Sequence, residues 1–159
     1  KKEIRTNAMR ILTQNKIPFR INLYECDEFI DGVHIADKLG QSYEMTFKTL
    51  VMQGKSKSYY VFVLPIDQEV DLKKAAKIVG EKNLEMVHVK DIKNVTGYIR
   101  GGCTPVGMKK NYPTWIHESA KDLEEIIISG GRLGTQIFIK PEDLRKVTNG
   151  TFADIIVKS

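Results

Sequence analysis

Residues 46–64, TFKTLVMQGKSKSYYVFVL, decide the fold of this chain. Thr46–Met52 and Ser58–Leu64 are strand-length runs rich in apolar and β-branched residues, and Gly54-Lys55-Ser56-Lys57 lies between them. Two such runs around a short polar segment that contains glycine predict an antiparallel β-hairpin. We therefore begin with two paired strands and assign the rest of the chain around them.

Weaker signals flank the hairpin on both sides. Upstream, the pattern predicts a helix capped by Thr6 that ends near Asn15, a strand over Arg20–Glu25, and a helix over Val33–Leu39 that Gly40 ends. Downstream, it predicts a helix over Leu72–Val79 between Asp71 and Gly80, a short helix over Val89–Val95 closed by Gly97, and a helix over Glu142–Val147 after Pro141. The strands predicted downstream are Thr114–His117 and a hairpin of Glu124–Ser129 with Thr135–Ile139. Hairpins with irregularly inserted helices favour an α+β fold over a doubly wound parallel sheet.

The composition bounds the class of protein. With 159 residues, 42% of them hydrophobic and 28% charged, residues 1–159 are predicted to form a single globular domain. The apolar fraction excludes a disordered chain, and no apolar run approaches the roughly 20 residues that cross a bilayer. Two cysteines without CxxC spacing, and an N-terminus (Lys1–Arg5) without an apolar segment, predict a protein of the reducing cytoplasm.

The net charge leaves the partner open. Twenty-five Lys and Arg against 20 Asp and Glu give a formal net charge of +5. An excess of this size is compatible with a polyanionic partner such as a nucleic acid, and a solvated surface explains it equally well.

Lys48 is the first candidate for a functional side chain. The two-residue period of a strand places it on one face with Leu50 and Met52. A lysine is almost never fully buried without a partner, because its ammonium loses hydration. Either its stem covers Leu50 while the ammonium reaches water at the strand end, or the ammonium lines a cleft and binds a phosphate or an oxyanion.

Two glycine-rich segments could approach a ligand. The Gly101–Gly107 segment, GGCTPVG, has the glycine spacing of a P-loop, but Met108-Lys109-Lys110 follows where the motif requires Lys and Ser or Thr, which excludes an ATPase. The segment is then either a connector or a loop whose backbone N–H groups bind an anion or a carbonyl oxygen. In Ser129-Gly130-Gly131 the glycines suit a hairpin turn, and the Ser129 hydroxyl stands at a strand end where it can reach a cleft. Tyr24 is either a surface ring or a platform for stacking a base.

The titratable residues predict neither a metal site nor a protein nucleophile. His34, His88 and His117 have no metal-ligand spacing, and His117, in an apolar strand, is interpreted as structural. Neither Cys26 nor Cys103 has the signature of a catalytic thiol, and no triad can be assembled. We therefore expect no metal and no cofactor.

Several segments together resemble the YbaK/EbsC family of aminoacyl-tRNA deacylases, which are related to the editing domain inserted in bacterial prolyl-tRNA synthetases. The resemblance covers nearly the whole chain and rests on the order and spacing of six motifs: FKTL (47–50), DLKKAAK (71–77), TGY (96–98), GGCTPVG (101–107), SGGRLG (129–134) and FADI (152–155). It implies a single-domain α+β fold with a mixed, mostly antiparallel, curved and barrel-like sheet and short flanking helices.

The resemblance also implies roles for particular residues. Lys48 matches the family's essential lysine, which positions the terminal phosphate and ribose of the tRNA, and Thr49 follows it as in the family. Gly101 matches the start of a glycine–proline loop whose backbone binds near the aminoacyl carbonyl, so that Gly102, Thr104 and Pro105 are expected to bind substrate. Ser129, with Gly130, and Tyr24 match pocket positions. The family's pocket aromatic falls near Asp31, and Phe29 is the nearest aromatic side chain.

The implied activity is trans-editing, the hydrolysis of the ester between a wrong amino acid and the 3′-terminal adenosine of a tRNA. Cys-tRNA(Pro) is the expected substrate, with Cys-tRNA(Cys) as a second one, and either the substrate's own thiol or a bound water attacks the ester. The expected partners are the aminoacyl-tRNA acceptor end and prolyl-tRNA synthetase, with no DNA and no membrane. Two alternatives stay open: a non-catalytic module that holds tRNA 3′ ends, aminoacyl adenylates or a synthetase, and a small-molecule-binding protein whose charge is incidental.

Overall fold

The computed structural model describes residues 5–158, so the expectation drawn from Lys1–Ile4 lies outside the described residues. Within this range the helices are α1 (Asn7–Gln14), α2 (Gly32–Leu39), α3 (Leu72–Val79), α4 (Ile92–Thr96) and α5 (Pro141–Thr148), with 3₁₀ turns at Val89–Asp91 and Glu118–Asp122. The strands are β1 (Arg20–Leu23), β2 (Phe47–Gly54), β3 (Tyr59–Pro65), β4 (Leu84–Met86), β5 (Thr114–His117), β6 (Ile126–Ser129), β7 (Thr135–Ile139) and β8 (Thr151–Ala153).

The ends of α1, α2 and α3 lie within one residue of the predicted ones, whereas the helix predicted over Val89–Val95 is divided into a 3₁₀ turn (Val89–Asp91) and α4. The Thr6 hydroxyl accepts a hydrogen bond from Met9 N at the start of α1, and the Asp71 carboxylate accepts from the first backbone N–H groups of α3. Gly40 and Gly80 end α2 and α3 in the left-handed conformation that a residue without Cβ adopts at little cost. The spacing of Leu72, Ala75, Ala76 and Val79 predicts one apolar face of α3 that packs on the core, but Leu72, the first residue of the helix, is 48% exposed.

The predicted hairpin forms the centre of a five-stranded sheet. Strands β2 and β3 pair antiparallel from Phe47 opposite Pro65 to Gln53 opposite Tyr59, and the strand order is β4-β2-β3-β5-β8. The pairs β3–β5 and β5–β8 are parallel, and the other pairs in the described part of the chain are antiparallel. The α+β class and the mixed, mostly antiparallel pairing are therefore confirmed.

A second sheet of three strands, in the order β1-β7-β6, holds the other predicted hairpin. The strands thus form two sheets that do not close into a barrel over residues 5–158, so the barrel-like description holds only loosely. A parallel bridge between Thr46 and Ile127 joins the two sheets, and Ile127 N donates a hydrogen bond to Met45 O at 2.8 Å. This seam brings the start of β2 next to β6.

Two core clusters cover opposite faces of the β2–β3 hairpin. Val61 and Val63 point into one cluster, whereas Phe62 and Leu64 point into the other, and all four side chains are fully buried. The rings of Phe62 and Trp115 stack with centroids 5.9 Å apart in the second cluster. A strand buried on both faces is a rigid support, and it fixes β2 at the edge of the site described below.

Candidate active site

A cavity of about 330 Å³ opens where β2, β6, the loop before α2 and the glycine-rich loop after α4 meet. Its walls contain six of the residues expected at the site: Tyr24, Phe29, Lys48, Thr49, Gly101 and Ser129. These residues are up to 105 positions apart in the chain, and the seam between the two sheets brings them together. The remaining lining is mostly apolar, as is usual for a pocket that binds a small organic group.

The Lys48 side chain is half-buried and lines the cavity rather than bulk solvent. Its Nζ donates a hydrogen bond to Ile66 O at 3.2 Å, which leaves two of the three ammonium N–H groups for a ligand. Burial lowers the pKa of Lys48 below its ordinary value, while the carboxylates of Glu69 and Asp67 oppose this change. Lys48 therefore lies at the wall of a cavity, and its role in binding a phosphate or an oxyanion stays a prediction.

Gly101 and Ser129 meet at one side of the cavity. The Ser129 hydroxyl donates a hydrogen bond to Gly101 O at 3.3 Å, and Gly101 has a φ of +89°, which L side chains rarely adopt. A Cβ at Gly101 would lie 2.6 Å from Leu133 Cδ2 and 3.2 Å from Phe29 Cδ1. The absence of a Cβ at Gly101 therefore allows two things. Leu133 and Phe29 can pack close to the backbone, and the backbone can adopt a positive φ.

Four expected substrate contacts lie outside the cavity walls. A Cβ on Gly102 would come within 3.0 Å of the Arg132 backbone, so this glycine packs the loop against the β6–β7 turn. Thr104 and Pro105 are buried in the core below the loop. Gly130 donates from its N–H to Thr135 O and accepts from the Thr6 hydroxyl at 2.6 Å. In this structure these residues shape the two loops that carry Gly101 and Ser129.

Aromatic side chains frame the mouth of the cavity. Burial raises the pKa of the Tyr24 hydroxyl, with nearby Cys26 adding to the rise, so this hydroxyl stays neutral at neutral pH. Phe29 is 41% exposed, and the Arg100 guanidinium lies 3.8 Å from its ring centroid, a cation–π arrangement. Asp31 also lines the cavity, while its carboxylate caps α2 and accepts from His34 N at 3.0 Å.

Sequence reasoning missed two polar wall residues. Gln136, on β7, is 5% exposed and exchanges two hydrogen bonds with Gln41, at 2.8 and 2.9 Å, and it also accepts from Asn22. The signal was a lone amide between the buried Thr135 and Ile137. Arg100 was overlooked because a single arginine before a glycine pair has no motif of its own.

Thr49 contributes a hydroxyl that has no hydrogen-bond partner among the described residues, although its oxygen is buried. Buried hydroxyl groups are nearly always hydrogen-bonded in proteins. Thr49 also lines the cavity, but its hydroxyl oxygen is shielded from the cavity space, so a bound molecule could reach this oxygen only after a local rearrangement.

The cysteines and histidines do not form a reactive group here. Burial raises the pKa of the Cys103 thiol to about 11, so the sulfur stays protonated at neutral pH although it lines the cavity. His117 Nδ1 accepts from Ile155 N at 3.3 Å, which agrees with its interpretation as a structural histidine. In residues 5–158 no three His, Cys, Asp or Glu side chains are grouped so as to hold a metal ion. Over the same residues no helix is long and apolar enough to span a membrane.

Comparisons with known proteins agree on one family. Residues 33–147 match the aminoacyl-tRNA editing domain family. Over 159 residues, 99% of this chain and 97% of the relative, the sequence is 44% identical to an Enterococcus faecalis protein that is named a Cys-tRNA(Pro)/Cys-tRNA(Cys) deacylase, EbsC.

Solved structures show the same fold. A structure described as a trans-editing enzyme for prolyl tRNA synthetase superposes with a TM-score of 0.82 at 21% identity, and covers 98% of this chain and all (100%) of its own. A hypothetical protein superposes with a TM-score of 0.87 at 19% identity, with 95% and 99% of the two chains covered. At these identities the likeness concerns the fold alone.

Proposed function

Because this chain belongs to the aminoacyl-tRNA editing domain family, we propose that it hydrolyses mischarged aminoacyl-tRNA in trans, with Cys-tRNA(Pro) as its main substrate and Cys-tRNA(Cys) as a second one. One observation carries the proposal: the half-buried Lys48 lines the same cavity as Gly101 and Ser129, which are hydrogen-bonded to each other. Such a cavity can hold an aminoacyl group beside a fixed positive charge.

Lys48 acts in this proposal through its charge. In a partly dehydrated cavity an ammonium stabilises the negative charge that develops on the ester, or holds the terminal phosphate and ribose near it. Its hydrogen bond to Ile66 O fixes the ammonium before the substrate arrives, so little reorganisation is needed at the moment of reaction.

No protein nucleophile is required for this reaction. The ester is already activated, so that positioning and charge stabilisation lower its barrier enough. The attacking atom is either the substrate thiol or a water oxygen. In both routes the ester carbon–oxygen bond breaks, the ribose oxygen takes a proton, and one water is consumed overall to release the free amino acid. The protonated Cys103 thiol fits a role as part of the wall.

We further propose that prolyl-tRNA synthetase, the enzyme that makes Cys-tRNA(Pro), is a partner and that the protein works in the cytoplasm. A solved structure of the same fold is described as a trans-editing enzyme for that synthetase, which supports the pairing. The partner is the source of the substrate, so an association between the two would shorten the life of the mischarged tRNA.

The decisive experiment measures the release of labelled cysteine from Cys-tRNA(Pro). We expect turnover by the wild type and a fall of about 100- to 1,000-fold in kcat/KM for Lys48→Met, which keeps the length of the side chain and removes its charge. Lys73→Met on the exposed face of α3 is the matched control and should turn over normally. Full activity of Lys48→Met would remove Lys48 from the mechanism. An inactive wild type across a panel of mischarged tRNAs would favour a binding module instead.

A further inference from the structure

Exposed cations gather beside the mouth of the cavity. Residues 88–113 contain five Lys and Arg and one Asp, so this segment holds four of the five net positive charges of the chain. We call Lys90, Lys93, Arg100, Lys109 and Lys110 the basic rim, and all of them are exposed. Over residues 5–158 none of them forms a salt bridge, which leaves their charge available to a partner.

The fold holds the basic rim together around α4. Lys90 and Lys93 belong to the 3₁₀ turn and the helix whose Val89 and Ile92 line the cavity. The segment that carries Lys109 and Lys110 is tied to the end of α4, because Lys109 N donates to Thr96 O at 3.0 Å and the Tyr112 hydroxyl donates to Val95 O at 2.6 Å. The rim is therefore a fixed feature next to the site.

Exposed apolar side chains also line the cavity. Phe29, Met86 and Val89 line the cavity and yet are 41%, 52% and 57% exposed. Arg100, the rim residue that lines the cavity, covers the Phe29 ring with its guanidinium. This arrangement suits a nucleic acid that has a single-stranded end next to a duplex. The bases of the single strand can stack on the apolar side chains, and the phosphates of both parts can contact the cations.

We propose that the basic rim binds the phosphate backbone of the tRNA acceptor stem while the 3′ end enters the cavity over Phe29, Met86 and Val89. This inference rests on the proposed function and adds the docking surface to it. The lysines of α3 provide the contrast: Lys74 is already paired with Asp154, and Lys73 and Lys77 line a separate hollow rather than the cavity. An RNA that places its acylated end in the cavity meets the basic rim first.

The test compares two triple variants on two substrates. In the rim variant Lys90→Gln, Lys93→Gln and Lys110→Gln remove three charges that do not line the cavity, and in the control variant Lys73→Gln, Lys77→Gln and Lys82→Gln remove three charges from the α3 side. The substrates are intact Cys-tRNA(Pro) and the cysteinyl ester of adenosine, which has no phosphate.

For the rim variant we expect KM for intact tRNA to rise about tenfold or more at unchanged kcat, and the slope of log KM against log salt to fall by about 2 to 3, close to one per lost phosphate contact. Hydrolysis of the adenosine ester should stay at the wild-type rate, and the control variant should match the wild type on both substrates. A wild-type enzyme that hydrolyses both substrates while the rim variant keeps its KM and salt slope would overturn the docking surface alone. A wild type that hydrolyses neither would overturn the proposed function.

Discussion

Substitution by alanine should lower the free energy of unfolding by different amounts at the two adjacent glycines of the loop, Gly101 and Gly102. Gly101→Ala forces a side chain into a φ of +89°, a strain of about 1–3 kcal/mol, and presses on Leu133 Cδ2, the flexible end of a half-buried side chain that can turn away. Gly102 has no positive φ, but its Cβ would lie 2.7 Å from Arg132 Cα and 2.8 Å from Arg132 N. Backbone atoms of a turn cannot rotate away, so we expect Gly102→Ala to cost about 3 kcal/mol or more.

Urea unfolding at equilibrium measures both costs. In a thermal melt, at about 2–4 °C per kcal/mol for a chain of this size, Gly102→Ala should lower Tm by roughly 6–12 °C. Gly80→Ala is the matched control for strain alone, since Gly80 has a φ of +80° and no atom within 4 Å of the added Cβ. Subtracting its effect from that of Gly101→Ala isolates the contact with Leu133 and Phe29. A Gly102→Ala variant as stable as the wild type would refute the conclusion that Gly102 packs closely against the backbone of the β6–β7 turn.

Two further outcomes concern groups near the core. His117 has its pKa lowered mainly by burial, so the folded state binds fewer protons than the unfolded one, and the free energy of unfolding should fall as the pH drops through about 6.5 toward 5. Urea unfolding at pH 7.5 and 5 should show this loss in the wild type and a smaller one in His117→Gln; equal losses would assign the effect to another group. Cys103→Ser should keep most of the deacylase activity, because the thiol, with a pKa of about 11, is not a nucleophile at neutral pH. A folded but inactive Cys103→Ser in the cysteine-release assay would contradict this.

Local signals predicted most of the fold. The hairpin, the capped helices and the second hairpin follow from periodicity and from turn residues, which act over a few positions. Strands β4 and β8 were missed because each has three residues, too few for a pattern, and both depend on pairing with distant partners. The division into two sheets was missed for the same reason, since the Thr46–Ile127 bridge joins residues 81 positions apart.

The site was predicted less evenly. Lys48 could be identified because a charge on an apolar strand face is unusual in itself. The packing around Gly101 could not be predicted, since the side chains of Leu133 and Phe29, which approach it, are distant in the sequence. Arg100 could not be found from the sequence, because only tertiary contacts make it part of the wall, and the one signal for Gln136 was an amide between the buried Thr135 and Ile137.

The seam at Thr46 and Ile127 has a mechanical consequence. Lys48 belongs to the five-stranded sheet and Ser129 to the three-stranded sheet. The distance between the Lys48 ammonium and the Ser129 hydroxyl therefore depends on how the two sheets are joined, and not on either sheet alone. A small shift at this bridge would therefore change the width of the cavity without replacing Lys48 or Ser129. Natural substitutions at Thr46 or Ile127 would therefore change which acyl group fits the cavity while Lys48 and Ser129 stay the same.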